Sequence, residues 1–390
     1  MNICVLKEIK VDENRVALQP LQVKILTDLG HSVYIEYDAG INSGFSDDKY
    51  KDNEGIVVSK KEALKNSILI LKVKAPEESE YNDYRKDQIL FTYLHFDENI
   101  PKEKILELIK SGVTGIAYEW VGSNGNYPLL NPMSRLTGYL FVQKSMELLS
   151  KYKGKMAGNY EAEHIGANIL IIGLGTIGMS AFNYSYSNGL SITIVDKYPE
   201  TINARLNTRF LTNDIDYSKS IKIIEFDTKK PLDAKKEISI GMKKYDIILN
   251  CAVRRKDLTK DSLEYLIDRS MIKQMKKGSV ICDTTACDKD LIETCISSSE
   301  LEHIDIIEEI IHYNCDHIPS SVANTSTRLL TNQTFRFICD ISNKGFNTAI
   351  KENEELKNGV SCKDGFITHL YSSNKKTMSE YYKTIDEIIS

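Results

Sequence analysis

The stretch ANILIIGLGTIGMSAFNYSYSNGLSITIVD, residues 167–196, decides the fold of its half of the chain. Three glycines spaced as G-x-G-x-x-G lie between an apolar run and a segment that can form a helix. The first permits a tight turn, the second lets the backbone approach a pyrophosphate, and the third lets the helix pack closely on the strand. Backbone N–H groups at the start of that helix then bind the phosphates. The predicted phosphate-binding residues are Gly173, Gly175, Thr176, Ile177 and Gly178.

Asp196 ends the second predicted strand of this unit, 18 residues after Gly178. A carboxylate there accepts hydrogen bonds from the ribose of a dinucleotide. It also repels a 2′-phosphate, so the sequence predicts NAD as the cofactor, with NADP less favoured. A purely structural turn is the alternative for the glycines alone. The combination of strand, glycines, helix, strand and acid favours dinucleotide binding.

Strands and helices alternate on both sides of this stretch. ILILKVK (68–74), QILFTYL and YDIILNCAV are typical of strands, and a helix is predicted from about Pro20 to Gly30. KDSLEYLIDRSMIKQMKKG (260–278) has apolar residues at helical spacing and predicts another helix. Such alternation favours an α/β fold with mostly parallel sheets covered on both faces. We expect two Rossmann-like, doubly wound domains.

The composition argues against several classes of protein. The 390 residues suggest two or three domains, and a net charge of −5 without a basic stripe argues against a nucleic-acid partner. No apolar run approaches the roughly 18 residues of a membrane helix, and the N-terminus lacks the features of a signal peptide. The eight cysteines show no metal-ligand spacing. We therefore expect a soluble, reduced, cytoplasmic protein without a metal site or a membrane partner.

Two lysines interrupt the apolar stretch LILKVKAP, residues 69–76. The two-residue period of a strand places Lys72 and Lys74 on the same face. Because burying an unpaired ammonium is costly, each lysine must either reach solvent or meet an anion.

Several motifs together resemble bacterial alanine dehydrogenase, a relative of saccharopine dehydrogenase and of the nucleotide-binding subunit of proton-translocating transhydrogenase. The matching stretches are KEIKVDENRVALQP, AGINSGFSD, LKVKAP, QILFTYLHF, GIAYEW, PLLNPMS, the glycine motif and TSTRLLTNQTFRFICDISNKGF. The resemblance implies a discontinuous substrate domain, residues 1–130 plus 324–390, around a cofactor domain, residues 131–323. It also implies an active-site cleft between the domains and a homo-oligomer, a hexamer or a dimer.

The resemblance assigns roles to several residues of the first domain. Arg15 and Lys74 are expected to hold the carboxylate and carbonyl of a small 2-oxo or 2-amino acid, which needs cationic donors. His95 is the expected general acid and base, since an imidazole titrates near neutral pH. Lys74 is also grouped with the catalytic residues, and Lys72 is predicted to be solvated.

Three further positions match the family pattern. Tyr93 and Glu119 are expected to line the substrate site. Ser134 matches a residue that touches cofactor phosphate, although a role as the cap of a helix starting there is equally good chemistry.

The sequence departs from alanine dehydrogenases around the expected cofactor face. In CDTTACDKD, Asp283 matches the first acid of the family run, Cys287 falls at the ungapped position of the catalytic aspartate, and Asp288 lies one residue later. Either the loop shifts and Asp288 serves in catalysis, or that carboxylate is missing.

Other departures concern a possible second substrate. NCAVRRKD replaces a Pro-Gly turn and brings Arg254 and Arg255 near the cofactor or substrate. Asp316 and His317 lie in CDHIPSS, which resembles the D-H-x-P-S run of saccharopine dehydrogenases, and they equally fit a simple turn. Residues 200–240 include extra sequence without a clear family counterpart.

Three functions remain open from the sequence. The first is an NAD-dependent dehydrogenase that converts L-alanine or a similar small amino acid to a 2-oxo acid and ammonia. The second is an opine-forming reductase, like carboxyethylornithine synthase or saccharopine dehydrogenase, with Arg254, Arg255 or Asp316 holding the second amino acid. The third is a catalytically silent nucleotide-binding protein. Retention of Arg15, Lys74 and His95 argues against the third.

Overall fold

The computed structural model describes residues 1–97, 100–160, 166–210, 216–217, 221–254 and 257–389. The chain forms two compact units. Unit 1 comprises Met1–Met133 and Ser320–Ser390, and unit 2 comprises Ser134–Pro319.

The strands of the described chain alternate with helices in both units. In chain order they are β1 Asn2–Val5, β2 Ser32–Glu36, β3 Ile56–Val58, β4 Leu69–Leu71, β5 Ile89–Thr92, β6 Thr114–Ala117, β7 Asn168–Ile172, β8 Ser191–Asp196, β9 Lys222–Glu225, β10 Ile247–Asn250, β11 Val280–Asp283, β12 Asp305–Ile307, β13 Ile310–Tyr313, β14 Val360–Lys363 and β15 Phe366–Ile367. The helices are α1 Pro20–Asp28, α2 Asp47–Lys51, α3 Lys60–Asn66, α4 Lys102–Lys110, α5 Leu130–Lys153, α6 Thr176–Ser187, α7 Ile202–Phe210, α8 Pro231–Gly241, α9 Arg269–Ile272, α10 Ala323–Lys344, α11 Phe346–Glu352, α12 Glu354–Gly359, α13 Leu370–Lys375 and α14 Ile385–Ile389.

The sheet of unit 1 is a doubly wound parallel sheet with an antiparallel end. Its order is β15-β14-β6-β5-β4-β1-β2-β3. The six strands from β6 to β3 pair in parallel, whereas β14 pairs antiparallel with β6 and β15 pairs antiparallel with β14. Strands β4, β5 and β6 are buried along their whole length, as expected for a sheet covered on both faces.

The sheet of unit 2 repeats this plan. Its order is β12-β13-β11-β10-β7-β8-β9, and β12 is the antiparallel edge strand. The parallel strands have the order of a dinucleotide-binding fold, with the reversal between β7 and β10. The predicted α/β fold with two doubly wound parallel sheets is thus confirmed.

Helix α1 shows how local sequence sets an element's bounds. It begins at Pro20, whose fixed φ suits a first helical turn. Gly30, with φ +85°, follows its end in the left-handed conformation that glycine adopts without strain. None of the described helices is both long and apolar enough to cross a membrane.

The predicted helix over residues 260–278 is wrong, because only α9 forms there, capped by the Asp268 side chain. The apolar residues are buried, but in a loop: the N–H groups of Leu266 and Ile267 both donate to the carbonyl of Leu291. Pairing with that neighbouring segment replaces the bonds a continuous helix would make.

Candidate functional site

Four neighbouring strands of unit 1 end at one edge of its sheet. Strands β6, β5, β4 and β1 lie side by side and parallel. Their ends are followed in the chain by Glu119, His95, Lys74 and Glu8, respectively. The strand order reverses between β1 and β4, and ligands of open α/β sheets bind at such switch points.

Arg15 follows β1 and is almost completely buried. Its Nε donates to Oε1 of Glu13 at 2.7 Å and its Nη2 donates to Oε2 of Glu13 at 2.5 Å, while Nη1 lies 3.3 Å from Sδ of Met133. Burial opposes the charge, but the contact with Glu13 outweighs it and raises the pKa of Arg15. The residue predicted to hold a substrate carboxylate is therefore a charged guanidinium already paired with an acid.

The prediction that Lys72 is solvated is wrong. Lys72 is 0% exposed, and its Nζ lies 3.1 and 3.0 Å from the two carboxylate oxygens of Glu80 and 3.4 Å from Oε2 of Glu8. Burial works against the ammonium, but the two carboxylates outweigh it and raise the pKa of Lys72. Lys60 also binds Glu80, at 3.1 Å, so the acid joins two cations. Of the two alternatives that the sequence left open, this lysine meets an anion.

Strand β4 ends at Leu71, three residues before the predicted end, and beyond it a carboxylate binds the N–H groups of Val73 and Lys74. Oε1 of Glu8 accepts from the N–H of Val73 at 2.6 Å and from that of Lys74 at 3.3 Å. The hydroxyl of Thr92 donates to the carbonyl of Lys74 at 2.9 Å. The backbone of Lys74 is thus held on both sides.

His95 has a left-handed backbone conformation, with φ +51°. Few residues other than glycine adopt that conformation, and contacts with the surrounding structure must offset its steric cost. Oε1 of Glu119 accepts from the N–H of His95 at 2.6 Å, and both carboxylate oxygens accept from that of Leu94 at 3.2 Å. The ring of Tyr93 stacks on the imidazole with the centroids 5.4 Å apart.

Tyr93 and Glu119 make structural contacts in this arrangement. The Tyr93 hydroxyl donates to the carbonyl of Leu129 at 2.8 Å, and burial raises its pKa, so it stays protonated. Glu119 binds backbone. Their predicted contact with a substrate therefore stays a prediction. In the structure both side chains contact His95, Glu119 through the backbone N–H and Tyr93 through ring stacking.

The glycine motif of unit 2 forms the turn predicted for it. Gly173 has φ +85°, and a Cβ on Gly178 would lie 1.9 Å from the Gly173 carbonyl oxygen. A Cβ on Gly175 would meet nothing within 4 Å, so that position is open. Helix α6 begins at Thr176 without a side-chain cap in the described chain, which suits the binding of an anion at its N-terminus.

Asp196 ends β8 and is buried beside this turn. Its carboxylate accepts from the N–H groups of Leu174 at 2.8 Å and Tyr198 at 3.0 Å, and from Nη2 of Arg205 at 2.6 Å. Arg205 comes from the 200–240 segment that lacked a clear family counterpart. A cavity of about 290 Å³ lies against Gly175, Asp196 and Arg205. The turn, the acid and the cavity fit the phosphate and adenosine ribose of a dinucleotide.

Models of two protein families match the chain. The description "Alanine dehydrogenase/PNT, N-terminal domain" covers residues 4–137, and "Alanine dehydrogenase/PNT, C-terminal domain" covers residues 142–370. The chain belongs to the alanine dehydrogenase/PNT family. The resemblance seen in the sequence is therefore confirmed.

Full-length relatives of this alanine dehydrogenase/PNT chain include an alanine dehydrogenase of Methanococcus maripaludis, 33% identical over 383 residues that cover 95% of each chain. Alanine dehydrogenase 1 of Staphylococcus aureus is 32% identical over 391 residues, covering 99% of this chain and 100% of the relative. A solved L-alanine dehydrogenase superposes with a TM-score of 0.81 at 29% identity, covering 96% of this chain and 99% of that one. A transhydrogenase from Sinorhizobium meliloti, at 21% identity, shares the fold with a TM-score of 0.73.

Ser134 does not cap a helix, so that alternative is wrong. Helix α5 begins at Leu130, which puts Ser134 in its second turn. The four preceding residues, Leu130–Met133, are already helical. The predicted contact of Ser134 with cofactor phosphate stays a prediction.

The loop that departs from the alanine dehydrogenase pattern leaves Asp288 exposed. Its Oδ1 accepts from the N–H and the hydroxyl of Ser297, both at 2.8 Å, whereas Cys287 is half-buried. Asp283 is buried, and burial raises its pKa to about 6 although hydrogen bonds from Thr285 oppose the shift. A catalytic role for Asp288 stays a prediction.

The expectation that Arg254 holds a second substrate is not supported by its contacts. Its Nε and N–H donate to Asp290 at 3.0 and 2.7 Å, and its terminal nitrogens donate to the carbonyls of Leu263 at 2.7 Å and Glu264 at 2.8 Å. The guanidinium thus links the loop that carries Asp290 to the loop that carries Leu263 and Glu264. Arg255 lies outside the described residues.

Cys315, Asp316 and His317 follow β13 and lie close together. One potential ligand atom from each lies within 4.8 Å of the others. Nδ1 of His317 pairs with the carboxylate of Asp316, and the imidazole is fully buried. The turn alternative for Asp316 and His317 agrees with this internal pair.

Sequence reasoning missed the acids of unit 1. Glu8 and Glu13 lie in the quoted motif KEIKVDENRVALQP, and Glu80 lies in the short 3-10 helix Glu78–Asp83. The only sequence signal for these acids was the general rule that a buried cation such as Lys72 needs a buried anion, and this rule does not identify which acid is the partner.

Proposed function

We propose that this protein is an alanine dehydrogenase, a reversible NAD-dependent oxidoreductase that converts L-alanine or a similar small amino acid to its 2-oxo acid and ammonia. The observation that carries the proposal is the full-length similarity to alanine dehydrogenases, at 32–33% identity over nearly the whole of both chains. The retained Arg15, Lys74 and His95 support it from the residues.

A nicotinamide dinucleotide fits unit 2. The close approach of Gly178 to Gly173 and the open position at Gly175 form a cradle for phosphate, beside the ≈ 290 Å³ cavity. When bound, this cofactor supplies the acceptor or donor for the hydride at the substrate's Cα. NAD is proposed over NADP because a carboxylate at the ribose repels a 2′-phosphate, whereas Arg205, whose Nη2 donates to Asp196 at 2.6 Å, is the group that would bind such a phosphate in the alternative.

In the proposed chemistry, Arg15 and Lys74 bind and orient the substrate. Arg15 keeps its charge, so it can bind a carboxylate through the part of its planar fork that Glu13 does not cover. Lys74 hydrogen-bonds the carbonyl or amine end, which fixes the Cα for hydride transfer. Orientation of this kind is a large part of catalysis in two-substrate reactions.

His95 moves the protons. Loss of hydride from the Cα of alanine in its neutral-amine form leaves a protonated imine, and water then adds to the imine carbon while His95 takes a proton from that water. The same imidazole gives this proton to the amine and accepts the hydroxyl proton as the C–N bond breaks, so that pyruvate and ammonia leave. The reverse reaction joins ammonia to pyruvate, loses water, and reduces the imine.

The experiment that tests the proposal is NADH oxidation with pyruvate, comparing ammonium with lysine and ornithine as the amine. We expect turnover with ammonium, and NAD-linked oxidation of L-alanine in the other direction. Turnover that requires the amino acid would instead establish an opine-forming reductase. Tight NADH binding without turnover with any amine would favour a silent binding protein. NADPH in place of NADH tests the assignment of Asp196.

A His95→Ala variant tests the residue assignment within the same assay. If its turnover with pyruvate and ammonium equals that of the wild type, the acid–base role of His95 is wrong. We further infer a homo-oligomer, hexamer or dimer, in the cytoplasm. The eight free cysteines agree with a reducing compartment, and sedimentation at working concentration measures the assembly.

A further inference from the structure

Two buried glutamates of unit 1 bind backbone in the same way. Glu8 follows β1 and reaches across to the end of β4, and Glu119 follows β6 and reaches across to the end of β5. In each case a single Oε1 atom accepts from two successive N–H groups, those of Val73 and Lys74 or those of Leu94 and His95.

The two pairs of N–H groups resemble an anion-binding site more than an ordinary turn cap. Successive N–H groups turned to one side form a concave site for an anion. Here the chain fills both sites itself, and the second N–H of each pair belongs to a residue that the proposed function assigns to the substrate. The two acceptor distances to the first and second donors are 2.6 and 3.3 Å for Glu8, and 3.2 and 2.6 Å for Glu119.

We propose that Glu8 and Glu119 are positioning residues, which fix the backbones of Lys74 and His95 and thereby aim their side chains. The inference rests on the proposed function. His95 supplies the stronger case, because its backbone at φ +51° is strained for an L-residue and the shorter bond of Glu119 is the one to its N–H.

Glu8 is itself held by charge. Oε2 of Glu8 lies 3.4 Å from Nζ of Lys72, which also binds Glu80. Burial raises the pKa of Glu8, and the ammonium of Lys72 opposes that rise. Lys72 thus neutralises the carboxylate of Glu8, and Glu8 in turn binds the N–H of Lys74. Lys72 therefore supports the position of Lys74 indirectly, through Glu8.

The two positions predict different kinetic effects, which a merely structural role would not produce. Glu8→Gln should raise the KM for pyruvate about tenfold with a smaller effect on kcat, since it removes a charged hydrogen bond from the backbone of Lys74, which binds and orients the substrate. Glu119→Gln should lower kcat by about 10- to 100-fold with little change in KM, since it displaces the acid–base residue. In each glutamine variant Oε1 loses its negative charge, and the amide nitrogen replaces the oxygen that faces Nζ of Lys72 in Glu8 and the N–H of Leu94 in Glu119, where it sets donor against donor.

Asp246→Asn is the matched control. Asp246 is a buried carboxylate of unit 2 that accepts from the N–H of Asn168 at 3.0 Å and binds two lysines, at the start of β10. It shares burial and bonding with the two glutamates but touches none of the residues assigned to the substrate. The Asp246→Asn variant should be less stable than the wild type, but its KM and its kcat, calculated for the folded protein, should be unchanged.

The outcomes separate the two proposals. A wild type without turnover overturns the proposed function. A wild type with turnover whose Glu8→Gln and Glu119→Gln variants behave like Asp246→Asn, or change kcat and KM together and equally, overturns the positioning role. If the glutamine variants do not fold, Glu8→Asp and Glu119→Asp decide instead, because they keep the charge and withdraw it by one methylene. The same split in kcat and KM supports the proposal.

Discussion

Replacing Lys72 with methionine should strongly destabilise unit 1. The ammonium of Lys72 lies 3.0, 3.1 and 3.4 Å from three carboxylate oxygens of Glu80 and Glu8, with 0% of the residue exposed. Methionine fills similar space but leaves these acids without their shared cation. Removing one partner of a buried ion pair costs about 3–5 kcal/mol, so we expect a loss of that size in the free energy of unfolding at pH 7.

The loss should shrink in acid. Burial raises the pKa of Glu8, and Lys72 opposes that rise and contributes to the lowered pKa of Glu80. In the Lys72→Met variant, without that ammonium, both carboxylates hold protons more strongly in the folded state than they do in the folded wild type. Its free energy of unfolding therefore rises, relative to the wild type, as the pH falls. Urea unfolding at pH 7 and pH 5 measures both effects. Trp120 is the one tryptophan of the chain and belongs to unit 1, so its fluorescence reports that unit.

Lys104→Met is the control for the loss of a lysine. Its Nζ lies 3.3 Å from Glu78, whose side chain is 80% exposed. An exposed pair of this kind contributes less than about 1 kcal/mol. If Lys72→Met also costs less than about 1 kcal/mol, or if its deficit does not change with pH, then Lys72 is not the counter-ion of two buried acids and our reasoning is refuted.

Three further predictions concern other charges and glycines. Gly175→Ala should keep the stability of unit 2 but weaken NADH binding, whereas Gly178→Ala should lose stability because its Cβ would lie 1.9 Å from a backbone oxygen; calorimetry and NADH titration that rank the two alike would contradict this. Asp283, with a pKa raised by burial to about 6, should make unfolding easier as the pH rises from 4 to 7, by about 2 kcal/mol relative to Asp283→Asn. Parallel pH curves would disprove it. Glu13→Gln should lower the melting temperature, and pyruvate should raise it more than in the wild type, because a substrate carboxylate then replaces the lost counter-charge of Arg15; equal shifts with pyruvate would count against that role.

The fold could be predicted because periodicity and glycine spacing are local signals. The G-x-G-x-x-G turn around Gly173 needs only its own conformation and its neighbours, and the alternation of strands and helices implied two parallel sheets. The prediction for residues 260–278 was wrong because the apolar spacing of a buried loop there resembles that of a helix. Pairing of Ile267 with residues 291 and 292, which are close in space but 24 and 25 residues away in the sequence, determines the structure of this segment.

The site could be predicted only in part for a related reason. Arg15, Lys74 and His95 were named through a family resemblance, and their polar chemistry agrees with that assignment. The fate of Lys72 depended on Glu8 and Glu80, which lie 64 and 8 residues away along the chain. The rule that lysines are usually exposed does not take into account which acids lie near Lys72 in the folded protein, so the prediction from it is wrong.

The antiparallel strands at the ends of the two sheets have a consequence for behaviour at high concentration. An open sheet edge offers unpaired backbone groups to another molecule and promotes aggregation. Here β15 is two residues long, β12 is three, and the pairing of β14 with β6 is irregular between Val360 and Cys362. Short, irregular edges give an incoming strand little to pair with, so these ends should help the protein to accumulate without forming fibres.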